Sequence, residues 1–125
     1  MSIARRSSND KEWQAVKNKV FNRDKGDRIL KVLTSQEALI LRKNAGHFLN
    51  TLDPAHYIAV SERPDLCYKS YNIVALNRFS HDNLDHFRDP ITAEPITKEE
   101  VQKWWERILK GDIAQYNYLK SKELI

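Results

Sequence analysis

Cysteine is nearly absent from this chain. Cys67 stands alone, so no intramolecular disulfide can form, and a structural zinc site built on several thiolates is excluded. Cys67 reads as a small buried hydrophobe in or near a strand. Glycine is scarce as well, three residues in 125, which leaves no glycine-rich phosphate loop. No serine lies in a recognisable nucleophile turn, so a serine–histidine–acid triad cannot be argued. No run approaches the roughly 20 apolar residues of a membrane span. The N-terminal MSIARRSSND has two arginines with no apolar stretch behind them. It does not read as a signal peptide, and a cytoplasmic protein is the expectation. Basic residues form no long run that would suggest an arm or tail, and there is no internal repeat or low-complexity segment.

What is present suffices for one domain. The chain has 125 residues, 41% hydrophobic and 30% charged, enough to bury about two-thirds of its unfolded surface around one core. Lysine and arginine number 21 against 17 acids, and 21 − 17 gives +4, with a pI near 9.2. That balance is compatible with a polyanionic partner and does not require one.

The pattern along the chain divides into helices over about 9–45, a core over about 47–88, and further helices over about 97–122. Residues 1–8 are polar and read as a frayed end. Trp13, Val16, Val20 and Phe21 form one stripe of an amphipathic helix that Asn9 or Asp10 can cap. The period breaks over Asn22 to Asp27, around Gly26. Ile29 to Leu33 is a short apolar run that periodicity cannot assign. Thr34 with Glu37 is a capping box, so a second helix starts near Ser35. Its apolar face is Ala38, Leu39 and Leu41, and Gly46 suits a left-handed C-cap. Tyr57, Ile58 and Val60 are strand-prone, Ser61 to Asp65 is a loop, and Leu66 to Leu76 reads as a second strand. A helix follows over Asn77 to Phe87, with His81 and Asp85 at i and i+4 on one face. Arg88 to Pro95 is a connection. Thr97 with Glu100 is another capping box, and Val101, Trp104, Trp105, Ile108 and Leu109 give the clearest helical stripe. Ile113, Tyr116 and Leu119 suggest one more short helix.

The stretch from Leu52 to His86 gathers the reactive groups, with His56, Asn72 and His81 in that order. A single histidine is ordinarily a surface or internally satisfied residue, and His47 and His86 are left at that. His56 sits at the mouth of a strand beside Asp53, and His81 sits on the helix after the second strand. A hairpin between them would fold the two elements face to face. Phosphodiester cleavage needs a base to take a proton from water, which imidazole suits. It needs a hard cation held by imidazole and carboxylate, and an amide that orients the base-bearing loop. Ordinary readings stand beside these: Asn72 as a turn or cap residue, Asp53-Pro54 as a turn initiator, and Asp82 as part of a solvated face.

The ordered run D53-P-A-H56-Y-I, S61-x-R63, Y71-N72-I-V-A-L and N77-R-F-S80-H81-D-N-L-D85 resembles the HNH endonuclease family, the ββα-metal or His-Me finger nucleases. The close match covers about 35 residues. It extends loosely to Glu12–Asp24 and to the stretch from Asp89 to Trp105, which is similar to phage members. The resemblance implies an α+β fold, a ββα-metal core flanked by N-terminal helices and a C-terminal helical cap. It implies a metal-dependent DNA endonuclease leaving 5′-phosphate and 3′-hydroxyl ends. His56 matches the general base, Asn72 the asparagine that ties the loop and orients that base, and His81 a metal ligand for Mg²⁺, with Mn²⁺ or another divalent ion as alternatives.

Two positions depart from the family pattern. Ala55 stands where many members carry a second metal ligand, and Asp53, with Asp85 one turn on from His81, takes its place. The cysteine pairs that bind a structural zinc are missing: the C-x-x-C-H position reads Asn77-Arg-Phe-Ser80-His81. Leu39, Leu41, Trp104 and Trp105 are the expected apolar replacement. Ser61, Arg63 and Arg78 flank the site and can contact phosphates of DNA. Trp104 and Trp105 pack inside or at a subunit contact, so a homodimer is open. No membrane association is expected, and a phage-encoded chain would work in the host cytoplasm. The alternative reading is a catalytically inactive HNH-like module that binds nucleic acid or a protein. A third is a small basic helical regulator whose histidines have no chemical role.

Overall fold

The computed structural model describes residues 10–125; the polar end at 1–8 and the cap candidate Asn9 lie outside them. Asp10 is the N-cap that starts α1, Lys11–Asp24. Its Oδ1 accepts from the backbone N–H of Glu12 and Trp13 at 3.0 and 3.2 Å, a contact worth about 1 kcal/mol. Trp13 and Val20 are buried from this helix, and Val16 and Phe21 pack at the margin. The helix ends at Lys25, which takes the left-handed conformation at φ 51°. The ambiguous apolar run resolves as one 3-10 turn, Ile29–Lys31. The Thr34–Glu37 capping box is made in both directions, at 2.8 and 3.1 Å, and opens α2, Ser35–Ala45. Ala38, Leu41 and Ala45 share a phase, with Leu41 and Ala45 buried. Leu39 is one residue out of that phase and 67% exposed, so it cannot help replace a zinc clamp. Gly46 has φ +57° but ψ −134°, outside the left-handed helical region expected for it.

The two strands form an antiparallel hairpin, β1 at Leu52–His56 and β2 at Ile73–Asn77. The register pairs Asp53 with Leu76, Pro54 with Ala75, Ala55 with Val74 and His56 with Ile73. β1 therefore starts before the strand-prone Tyr57, Ile58 and Val60, and runs through Asp53-Pro54, which reads as a turn in the sequence. Pro54 is tolerated because its partner Ala75 spends its backbone groups outward. Ala75 N–H donates to Asp24 Oδ2 at 2.9 Å, and Ala75 C=O accepts from Arg28 N–H at 2.8 Å. A residue opposite Ala75 has no ladder bond to donate, so a missing N–H costs nothing there. The strand expected over Leu66 to Tyr71 is replaced by 3-10 turns at Pro64–Leu66 and Ser70–Asn72. The reason is Asn72, whose side chain occupies both backbone groups of Ile58 and takes the place of a strand partner.

Three helices complete the chain: α3 at Arg78–Asp85, α4 at Lys98–Leu109 and α5 at Ile113–Ser121. Asn77 caps α3, and the Thr97–Glu100 capping box opens α4. The fold is mixed α+β, five helices and a two-stranded hairpin among the described residues. Each face of the hairpin has its own apolar cluster. Ala55, Val74 and Leu76 pack with Leu41, Leu84, Trp105, Ile108 and Leu119. Ile73 and Ala75 pack with Trp13, Val20 and Cys67, which gives Cys67 its expected buried place. Trp104 is only half-buried, with the Arg107 guanidinium 5.1 Å from its ring centroid. No helix among the described residues is long and apolar enough to cross a membrane.

A buried ionic cluster joins these parts. Arg28, 1% exposed, donates from Nη1 to Asp24 Oδ1 at 3.0 Å and to Gln115 Oε1 at 2.6 Å. Its Nη2 donates to the carbonyls of Ile108 and Leu109 at 2.9 and 3.0 Å, at the end of α4. Burial pushes the Asp24 carboxyl up, but Arg23, the Ala75 N–H and Arg28 together hold it below its ordinary value. Truncating one partner strands the other charge in the core. Arg28→Ala is expected to cost about 3–5 kcal/mol in urea unfolding. The Arg28→Met/Asp24→Leu pair is expected to cost less than the sum of its single changes, and additive costs would show that the two are not coupled.

A second ion pair gives a pH dependence. Arg107 donates to both Glu37 oxygens, at 2.5 and 3.0 Å, and holds the Glu37 pKa down to about 2 from 4.5. A depressed carboxylate contributes stability above its unfolded pKa, and that share is lost as pH falls through the folded value. The pair is partly solvated, so the share is about 1 kcal/mol after screening. Glu37→Gln, which keeps the capping box, is expected to show correspondingly less loss than wild type between pH 4.5 and about 2 in denaturant titrations.

Candidate active site around the hairpin

Asn72 fixes the 57–72 connection. Its side chain is fully buried. Oδ1 accepts from Ile58 N–H at 2.8 Å, while Nδ2 donates to Ile58 C=O at 3.0 Å and to Leu66 C=O at 3.5 Å. Its backbone C=O also accepts from Tyr57 N–H at 2.8 Å. One side chain therefore ties Ile58, two residues after β1, to Leu66 in the middle of the loop.

His56 ends β1. Its Nε2 lies 2.9 Å from the Cys67 backbone carbonyl. A carbonyl only accepts, so Nε2 carries the hydrogen, and in the neutral ring Nδ1 keeps the lone pair. No partner for Nδ1 exists among the described residues. Burial lowers the His56 pKa, outweighing the Cys67 carbonyl that favours the proton, so the ring is a neutral base at neutral pH. The indole of Trp13 lies nearly parallel to it, centroids 5.8 Å apart at 10°.

Asp53, Arg78, His81 and Asp85 form a chain of charges on the α3 side. Asp53 Oδ2 is 3.0 Å from His81 Nδ1, and Asp53 Oδ1 is 3.0 Å from Arg78 Nη2. His81 Nε2 is 3.2 Å from Asp85 Oδ2, the i, i+4 relation expected. Burial would lower the His81 pKa, but Asp85 and Asp53 overcome it and the net shift is upward. Burial would raise Asp53, but Arg78 and His81 hold it low. The helix that carries His81 is set by a buried polar chain. Asn77 Oδ1 caps Ser80 N–H at 2.8 Å, Asn77 Nδ2 donates to Asp27 Oδ2 at 2.7 Å, and Ser80 Oγ donates to Pro90 C=O at 2.9 Å. Burial raises the Asp27 pKa against the pull of Asn77.

Among the described residues, no three His, Cys, Asp or Glu side chains are grouped to hold one ion. The reason is geometric, since Asp53 and Asp85 address opposite nitrogens of His81. A two-ligand site is compatible with the donors. Asp53 Oδ2 and His81 Nδ1, 3.0 Å apart, have the separation of adjacent ligands on an ion with bonds of about 2.1 Å. Mg²⁺ ordinarily keeps several waters beside one or two protein ligands.

Strand alternation divides the residues proposed for catalysis. Ala55 faces the α3 side with Val74 and Leu76, whereas His56 turns to the Trp13 side with Ile73. Asp53 shares the Ala55 face. The two groups are close enough that the charges of His81 and Asp85 act on His56. Arg78 belongs to the site through Asp53. Arg63 is bound to Asp65 at 2.8 Å, and Ser61 is exposed on the same loop; neither bonds to His56, Asn72 or His81. The sequence reading missed Trp13 and the Cys67 carbonyl. It also missed Asp27, although Asn77 with Ser80 three residues on is a legible N-cap pattern.

No family model, no curated protein and no solved structure matches this chain.

Proposed function

We propose that this protein is a metal-dependent DNA endonuclease of the HNH type. The observation that carries the reading is the placement of His56: pinned at Nε2 by a backbone carbonyl, with no hydrogen-bond partner at Nδ1 among the described residues, at the end of the strand that leads into the loop tied by Asn72. In this reading Nδ1 of His56 takes a proton from a water that attacks phosphorus in line. The bond to the 3′ oxygen breaks, and that oxygen receives a proton from solvent. Asn72 holds the loop so that the base keeps its aim. Arg78 steadies Asp53 and turns its remaining N–H groups to the phosphate. A divalent ion on Asp53 and His81, Mg²⁺ or Mn²⁺, would supply positive charge for the phosphorane and the leaving oxygen. Asp85, on the far nitrogen of His81, orients that ring. Ser61 and Arg63 would meet phosphates further along the backbone.

A second reading, an inactive module of the same build that binds DNA or a protein, is favoured by one specific arrangement. Both His81 nitrogens are taken by carboxylates, and Asp53 and His56 leave opposite faces of the strand.

Nicking of supercoiled plasmid separates the two. With Mg²⁺ or Mn²⁺, His56→Ala is expected to lower the rate by about 10²–10⁴-fold while DNA retention in a gel-shift assay persists. With metal at saturation, so that the raised pKa of His81 does not set the profile, the acid limb of the wild-type rate is expected below the ordinary histidine value of 6.5, because burial lowers the His56 pKa. DNA binding without cleavage in either metal would overturn the nuclease reading and leave the binding module.

Asn72→Ala removes both bonds to Ile58. It is expected to cost about 1–3 kcal/mol for each buried group left unpaired, read by urea denaturation. It should also lower kcat for plasmid nicking, because the loop next to the base loses its tie. A variant with wild-type stability and rate would show that Asn72 does not tie the loop.

A further inference from the structure

We propose that Trp13, on the N-terminal helix outside the motif, is a positioning residue for His56. The inference rests on His56 being the base. The hydrogen bond from Nε2 to the Cys67 carbonyl fixes one atom of the imidazole. A single bond at one ring atom still allows the plane to swing about the N···O axis. The parallel indole, 5.8 Å away at 10° and itself 6% exposed, closes that freedom from one side. A point and a plane together define where Nδ1 aims.

The indole packs on the hairpin residues Ile73 and Ala75, and its helix has a further tie. Asp10, the cap of α1, accepts from the Trp13 backbone N–H at 3.2 Å and also from the Tyr68 hydroxyl. Tyr68 in turn packs on Trp13, with centroids 6.1 Å apart. Asp10 thus binds α1 to the residue next to Cys67, so the carbonyl and the indole that hold His56 move as one body. The stack also has an electronic consequence. When His56 takes the proton it becomes a cation beside a π face, and the indole favours that charged form over an aliphatic neighbour. The contact is therefore stronger as the reaction proceeds than before it starts.

Trp13→Leu keeps an apolar side chain without a π face, and Trp13→Phe restores a flat ring. Both are first checked for folding by urea denaturation. The readouts are kcat and KM for plasmid nicking, and the His56 Nε2–H resonance in nitrogen-edited NMR of the metal-free protein. A ring held against Cys67 gives a slowly exchanging signal. Trp13→Leu is expected to lose that signal and to lower kcat about 10–100-fold with KM unchanged, and Trp13→Phe to recover both to within about threefold. The proposal is overturned if folded Trp13→Leu keeps the resonance and the rate. It is equally overturned if Trp13→Phe falls as far as Trp13→Leu, since loss of packing alone would then suffice. A wild-type protein that nicks no DNA would overturn the nuclease reading instead, while the resonance would still decide whether Trp13 holds the ring.

Discussion

A hairpin of two strands has two unpaired edges, and in this protein the outer edge of β2 is closed by side chains and one backbone N–H. Ala75 N–H goes to Asp24, Ala75 C=O takes the Arg28 N–H, and Ile73 C=O takes Arg23 Nη2 at 2.6 Å. Gln115 covers the C=O of Tyr71 just before the strand, at 2.9 Å. An isolated hairpin is marginal in water, and a buried strand edge with unmet hydrogen bonds is costly. A third strand would solve the problem with backbone alone. Here α1 and α5 solve it with two charges and an amide, joined by the Arg28 backbone N–H just after α1, which binds both helices to the strand that leads into α3.

That solution explains how a domain without zinc cysteines holds its framework. Of the residues the sequence offered as an apolar brace, Leu41 and Trp105 lie in the core. The connection between segments distant in sequence is nevertheless polar. Arg28 reaches α1 through Asp24, the end of α4 through two carbonyls, and α5 through Gln115. Gly111 follows α4 closely enough that an added Cβ would lie 3.3 Å from Arg28 Nε. Such a centre specifies geometry more than it adds stability, because desolvating its charges offsets much of their attraction.

The sequence disclosed those parts of the fold that depend on local chemistry. Capping boxes at Thr34 and Thr97 marked where two helices begin, because a cap is a contact between near neighbours. The α3 helix, expected over Asn77 to Phe87, spans Arg78–Asp85. The strands were less legible. Propensity favoured Tyr57, Ile58 and Val60, but the ladder stops at His56 because the Asn72 side chain takes the next backbone groups. Leu39 was misplaced because α2 buries the phase of Leu41 and Ala45. Within the site, His56, Asn72, Asp53 and His81 stood out as residue types. Two of their holders did not. The Cys67 carbonyl is a backbone group that any residue could supply, and Trp13 lies 43 positions before His56 (56 − 13), on a stripe that reads as ordinary core.

The division of the site across β1 follows from this construction. Alternation places Asp53 with α3 and His56 with α1. Each side is therefore held by a different body: Asn77 and its buried chain fix α3, and Asp10 with Tyr68 fixes α1 to the loop. The short strand β1 carries reactive groups toward both bodies, Asp53 toward α3 and His56 toward α1. In the proposed nuclease reading, a phosphate that engages His56 and the Asp53–His81 pair together would have to reach around the edge of β1 at Pro54. Proline presents no N–H on that edge, so no backbone donor competes for the phosphate or for a paired strand. Proline at this position thus has two consequences, one for the register with Ala75 and one for access to the strand edge. In a chain with so few prolines, it sits where the hairpin can lose a donor without losing a ladder bond.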